Sequence, residues 1–138
     1  MTRLCSACLL GVPCRYNGAS KPNEKILVLA KNEMLIPVCP EQLGGLSTPR
    51  KPAERCGKCV VARDGEDVTE QFMRGAQEVL KIAKLYDIKS AIFKQCSPSC
   101  GCGQIYDGSF TGRIIKGDGI TTQLLKENGT EVLSDEDV

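Results

Sequence analysis

Three short apolar runs in this chain each lead into a cysteine, and that coincidence constrains the fold more than any other feature. Leu4-Cys5-Ser6-Ala7 precedes Cys8, Met34 to Val38 precedes Cys39, and Ala91 to Gln95 lies shortly before Cys100. Apolar runs of this length, bounded by glycine and proline, read as buried strands. If they are neighbouring parallel strands, their carboxyl ends open onto one crevice, where open α/β sheets bind ligands. Three thiolates converging there, with no fourth ligand evident, leave a metal an open coordination position. Such a site suits chemistry better than structural support.

The rest of the chain alternates accordingly. A first strand is expected at about 3–7, a helix at about 23–32 behind the N-cap candidate Asn23, and a strand at 34–38. A loop rich in glycine and proline then runs to Cys56-Gly57-Lys58-Cys59 and a short strand or hairpin arm at Val60 to Arg63. The longest helix is expected to start at Asp67, with Glu70 three residues on as in a capping box. Its stripe of Val68, Phe72, Ala76, Val79, Ala83 and Tyr86 should face a sheet. A strand at 90–95, a glycine-rich loop at 96–119, a helix at 120–128 closed by Gly129, a strand at 131–133 and a frayed acidic tail complete the pattern. The expected fold is therefore α/β: one domain over residues 1–138, three layers, a mainly parallel Rossmann-like sheet with helices on both faces, and the site at the carboxyl edge of the strands.

Composition narrows the chemistry. The chain has nine cysteines and no histidine, so Cys-His and Ser-His catalysis and every histidine-containing zinc site are excluded. Proton transfer falls to carboxylates, Ser, Tyr, Lys or Cys. An odd cysteine count in a chain with ordinary hydrophobic content argues for metal or thiol chemistry over a disulfide framework. Lys plus Arg is 18 against 17 for Asp plus Glu, which gives no general attraction to phosphate backbones. Aromatics are 4% and Trp is absent, a poor supply for stacking nucleic-acid bases. No apolar run is long enough to span a bilayer, and the N-terminus runs straight into the first motif; the expectation is a cytoplasmic protein with reduced thiols.

Reactive and turn-forming residues gather in three segments. These are Ser6 to Gly18, Pro37 to Arg50, and Ser97 to Gly119. Taken together they resemble the thiouracil desulfidases, long known as domain of unknown function 523. The likeness covers nearly the whole chain. It rests on Ser6-Ala7-Cys8-Leu9-Leu10-Gly11, Cys14-Arg15-Tyr16-Asn17-Gly18, Pro37-Val38-Cys39-Pro40-Glu41, Gly44-Gly45-Leu46, Thr48-Pro49-Arg50, Asp67-Val68-Thr69, Ser97-Pro98-Ser99-Cys100-Gly101, Tyr106-Asp107-Gly108 and Phe110-Thr111-Gly112.

The resemblance implies a [4Fe–4S] cluster held by Cys8, Cys39 and Cys100, with one iron free to bind the sulfur of a thiolated pyrimidine. The implied reaction removes sulfur from a 2-thiouracil-type base, free or within thiolated tRNA, to give uracil and sulfide without redox change. Glu41 and Ser99, beside two of the ligands, are the candidates for proton transfer, with Ser97 in reserve. Arg15, Tyr16, Asn17, Arg50, Tyr106 and Asp107 are candidates for holding the pyrimidine, although Asn17-Gly18 and Asp107-Gly108 also read as ordinary turn pairs.

The remaining cysteines leave alternatives open. Cys56 and Cys59 suit half a structural zinc site, a thiol redox pair or two plain thiols at a turn. Cys5 reads as a buried apolar residue. Cys14 is placed to face the cavity, and Cys96 and Cys102 flank Cys100 closely enough to substitute as ligands.

Overall fold

The computed structural model describes the whole chain, Met1–Val138. Four strands form the central sheet: β1 (Thr2–Ser6), β2 (Met34–Val38), β5 (Ser90–Phe93) and β8 (Glu131–Ser134). They lie in the order β2-β1-β5-β8, every neighbouring pair parallel. Between them come α1 (Glu24–Leu29), α2 (Pro40–Leu43), α3 (Thr69–Leu85) and α4 (Ile120–Glu127). Two antiparallel hairpins stand outside the sheet, β3 (Ala53–Cys56) with β4 (Cys59–Ala62), and β6 (Gln104–Tyr106) with β7 (Ile114–Lys116).

The strand order dictates the layers. The chain moves one way from β1 to β2, then reverses past β1 to β5 and continues to β8. Right-handed crossovers therefore place α1 on one face and α3 with α4 on the other. Packing agrees: Leu4, Val38, Ala91, Phe93 and Val132 meet Val79, Ala83 and Leu125 on the α3–α4 side. Cys5, Leu35 and Ile92, one residue out of phase, meet Ile26 and Leu9 on the opposite side. β2 is an edge strand, where Pro37 can sit with least cost to the ladder. The reversal falls between β1 and β5, so the crevice at their carboxyl ends is the switch point of the fold.

Several boundaries depart from the sequence expectation for identifiable reasons. α3 starts at Thr69 rather than Asp67. The Asp67 carboxylate accepts the Thr69 amide at 2.9 Å, while Val68 and the Thr69 hydroxyl bond to Val60 on β4, so this segment serves the hairpin instead of a capping box. Tyr86, expected on the buried stripe, is 63% exposed, because the helix has already ended at Leu85. α1 is shorter than expected, since the amides of Asn32 and Glu33 fold back onto the Leu29 carbonyl. The acidic tail is tied down: Asp135 Oδ1 accepts the Gln95 amide at 2.7 Å. The region expected as an irregular loop over 96–119 contains the β6–β7 hairpin, and Gly129 ends α4 at φ 85° as expected.

One backbone contact sets the position of the second cysteine loop. α2 lies against α3 where Gly44 and Gly75 face each other. A Cβ on Gly75 would stand 1.9 Å from the Pro40 carbonyl oxygen, and one on Gly44 would stand 2.0 Å from that of Gln71. Both obstacles are backbone, so neither can rotate aside. Gly75→Ala should therefore push α2 outward and destabilise the fold by about 1–3 kcal/mol, read as a lower urea midpoint. An unchanged midpoint would show that the two helices slide freely.

Candidate metal centre

Each cysteine of the sequence expectation sits where its strand delivers it. β1 ends at Ser6, and the chain tightens into a 3-10 turn over Ala7–Leu10 that carries Cys8. β2 ends at Val38, and Cys39 caps α2, whose first residue is Pro40. β5 ends earlier than expected, at Phe93, and the next segment must loop back to bring Cys100 to the same edge. The buried Gln95 side chain staples that return: its Oε1 accepts the Cys102 amide at 2.8 Å and its Nε2 donates to the Cys102 carbonyl at 2.7 Å. The amino end of α4 holds the turn from below. Ile120 bonds to the Pro98 carbonyl, Thr121 and Thr122 to that of Ser99, and the Thr122 hydroxyl to that of Cys100.

Cys8, Cys39 and Cys100 line one cavity of about 400 Å³, together with Cys14, Glu41, Ser97 and Ser99. The Cys39 and Cys100 thiols are held protonated. Burial pushes Cys100 up to about 12, against the opposing pull of the Ser6 and Ser99 hydroxyls. Hydrogen bonding to Cys14, then burial, raises Cys39. A metal binding here must displace those protons and supply the charge that stabilises the thiolates.

No three cysteine or carboxylate side chains approach closely enough to hold one metal ion. A single tetrahedral zinc would draw its sulfurs to about 3.8 Å from one another, given bonds of about 2.3 Å. A polynuclear cluster binds each thiolate at a different iron and needs wider spacing. Cys8, Cys39 and Cys100 share this cavity with Cys14 and Cys96, a donor set rich in thiols and without imidazole that fits the soft iron of an iron–sulfur cluster.

A hydrogen-bonded chain runs along the cavity wall. Ser97 Oγ accepts the amides of Ser99 at 3.2 Å and Cys100 at 3.0 Å. Those two bonds fill its lone pairs, so its own proton is donated to Ser99 Oγ at 2.9 Å. Ser99 in turn donates to Glu41 Oε2 at 2.9 Å. Glu41 Oε1 accepts from Arg50 Nε at 3.1 Å. The Arg50 fork is otherwise spent on the Cys14 carbonyl at 2.8 Å, the Ser47 carbonyl and the Thr48 hydroxyl. Arg50 is therefore a brace that joins the first two loops. With the Arg50 side chain 8% exposed and that of Glu41 16%, removing either partner would strand a half-buried charge.

A model of the 2-thiouracil desulfurase family matches residues 4–137. The chain belongs to this family. It is 44% identical over 145 residues to YbbK, an uncharacterized protein of Bacillus subtilis (strain 168), with 98% of this chain and 96% of that protein aligned. Among solved structures it superposes on the [4Fe–4S]-dependent thiouracil desulfidase TudS with a TM-score of 0.92 and 44% identity, over 99% of this chain and 92% of that one.

Within this desulfurase-family cavity the other candidate residues divide. Arg15, Tyr16, Arg50 and Tyr106 line it. Asn17 and Asp107 do not. Asn17 Oδ1 accepts the Ala19 amide at 3.0 Å, and Asp107 Oδ1 accepts the Ser109 amide and hydroxyl, bonds that hold the Asp107 carboxyl below the usual carboxylate range. Both side chains staple their own turns.

Two cavity residues were not singled out from the sequence. Lys94 follows β5, and its amide donates to the Ser6 hydroxyl at 2.9 Å; a lysine ending a buried strand was the available signal. Glu54 Oε1 accepts the amides of Gly108 at 3.0 Å and Phe110 at 3.1 Å, and so holds the loop bearing Phe110 over the cavity. No local pattern could reveal partners more than fifty residues away. Cys14, placed facing the cavity by its loop, is buried there. Cys56 and Cys59 are exposed at the β3–β4 turn, where no third ligand joins them, so the structural-zinc alternative lacks a ligand set.

After anaerobic reconstitution with iron and sulfide, Cys8→Ala, Cys39→Ala and Cys100→Ala should each lose most bound iron and visible absorbance, while a C56S/C59S double variant retains both. Full iron content in any of the three single variants would remove that residue from the ligand set.

Proposed function

We propose that this protein is a [4Fe–4S]-dependent desulfidase that converts a 2-thiouracil-type base and water into uracil and hydrogen sulfide. The observation that carries the reading is the meeting of three strand-end cysteines and the Ser97–Ser99–Glu41 chain in one cavity. Held by Cys8, Cys39 and Cys100, the cluster would supply a soft Lewis acid suited to a thiocarbonyl sulfur. No electrons are gained or lost overall, since the C=S bond is replaced by C=O and both protons of water leave with sulfur.

The chain's own groups perform the proton work. Glu41, oriented by Arg50 on one oxygen, takes a proton from the attacking water through the other. Ser99, whose hydroxyl already donates to Glu41, passes protons between the carboxylate and the reacting atoms. Ser97 fixes the direction of the Ser99 hydroxyl. Arg15, Tyr16 and Tyr106 hold the ring through its oxygen and nitrogen atoms, and the roof loop with Phe110 limits access of bulk water.

A free thiolated pyrimidine is the substrate class favoured here. A cavity of about 400 Å³ leaves room for a base beside a cluster, and a nucleotide within folded RNA would first have to be extruded. The even balance of 18 basic and 17 acidic residues offers no broad phosphate-binding field to support that extrusion. Sulfide release from 2-thiouracil by reconstituted protein, with none from thiolated tRNA, is the expected result. Release from tRNA alone would reverse the substrate assignment, and release from neither would end the proposal.

Glu41→Gln should keep its iron while kcat falls on the order of 10²-fold or more, the range of a lost general base. Turnover close to the parent value would place the base elsewhere.

A further inference from the structure

Cys56 and Cys59 take no part in the cavity, and their placement gives them a separate chemistry. The β3–β4 ribbon pairs Cys56 directly with Cys59 across Gly57 and Lys58. Of the two turn residues only Gly57 has positive φ, at 61°, the pattern of a II′ hairpin turn. Residues flanking such a turn have Cα atoms about 5.5 Å apart, inside the span of roughly 4.4–6.8 Å that a disulfide bridges. Their side chains leave the same face of the ribbon, and both are exposed. The chain supplies two sulfurs here and no more, which suffices for a disulfide.

The ribbon also braces the cavity roof. A Cβ on Gly108 would lie 3.0 Å from Cys56 Cβ and 3.4 Å from its Sγ, so the Cys56 side chain packs on the Gly108 backbone. Two residues before Cys56, Glu54 accepts the Gly108 and Phe110 amides. Between them, Arg55 donates to the Asp118 carbonyl at 2.6 Å and to Gln123 Oε1 at 2.6 Å. Tyr106 and Phe110, on either side of Gly108, line the cavity.

We propose that Cys56 and Cys59 form a reversible dithiol–disulfide site whose redox state is transmitted through Gly108 to the loop over the cavity. The oxidant is a small-molecule disulfide. One thiolate attacks it and releases one thiol; the second cysteine then displaces the other half. Two protein thiols and one external disulfide become one internal S–S bond and two external thiols, so two electrons and two protons leave the protein. Bonding to Cys59 turns the Cys56 sulfur across the ribbon toward its partner strand, and so changes its packing on Gly108 beneath the roof loop.

The test holds anaerobically reconstituted protein in glutathione and glutathione disulfide, followed by alkylation, peptide mapping and amide hydrogen exchange. The peptide spanning 56–59 should lose two hydrogens, resist alkylation and regain both thiols in excess reductant. C56S should stop at a glutathione adduct on Cys59, and C59S at one on Cys56. Two persistent free thiols, or two separate adducts in the parent protein, would overturn the site. The Gly108 and Phe110 amides should exchange several-fold faster in the oxidised protein and stay unchanged in a C56S/C59S variant treated alike. Equal exchange in both redox states of the parent protein would overturn the coupling. Neither readout uses turnover, so both stand apart from the desulfidase reading.

Discussion

One continuous hydrogen-bonded chain holds the centre together, and every other feature of the site depends on it. It begins at the Cys14 carbonyl, passes through Arg50 to Glu41, then to Ser99 and Ser97, and ends on the Cys100 amide. Two of its steps, Arg50 to the Cys14 carbonyl and Ser99 to Glu41, cross between loops far apart in sequence. The first cysteine loop, the α2 loop and the Ser97–Cys100 turn are thereby fixed relative to one another by charge-assisted or short polar contacts in a half-buried setting, where such bonds are stronger than in water. The same chain that joins the loops bearing the three thiols also orients the Glu41 carboxylate at the cavity wall.

That economy follows from the topology. The reversal between β1 and β5 leaves their carboxyl ends uncovered, and β2 lies beside them with its own end facing the same way. Cys8 and Cys39 then share an edge directly, and the Gln95-stapled return after β5 brings Cys100 to it. Burial at Cys100, and hydrogen bonding to Cys14 followed by burial at Cys39, keep these two thiols protonated, so a soft metal binding here supplies the charge that stabilises the thiolates. The surrounding wall supplies the Ser97 and Ser99 hydroxyls and the Glu41 carboxylate, groups suited to moving protons around a thiocarbonyl.

The two hairpins complete the arrangement from above. Glu54 and Arg55 carry the β3–β4 ribbon across to the loop after β6 and to α4, so the roof is built from segments that contribute nothing to the main sheet. A dithiol at the tip of this ribbon touches the roof without touching the thiols below it. Cluster chemistry and exposed thiol chemistry can thus proceed in one small chain without exchanging sulfurs.

Periodicity and punctuation were enough to expose the parallel sheet, the long helix stripe and the position of Cys8 and Cys39, because those depend on local burial and on residues adjacent in the chain. Cys39 follows its strand directly, and its delivery to the edge needs no distant partner. The wider motif pattern pointed to the family and to Glu41 and Ser99. What sequence could not disclose was everything settled by contacts between remote segments. The bonds of Val68 and Thr69 to Val60 that delay α3, the Asp135 anchor on the tail, the staple of Gln95 that returns Cys100 to the edge and the grip of Glu54 on the roof all join residues whose proximity exists only after folding. Asn17 and Asp107 illustrate the same division, since their residue types suit both a ligand contact and a turn, and only the packed loops decide which hydrogen bonds they make. Residue chemistry set the available reactions; the strand order, by fixing which ends become neighbours, decided which of those residues could act together.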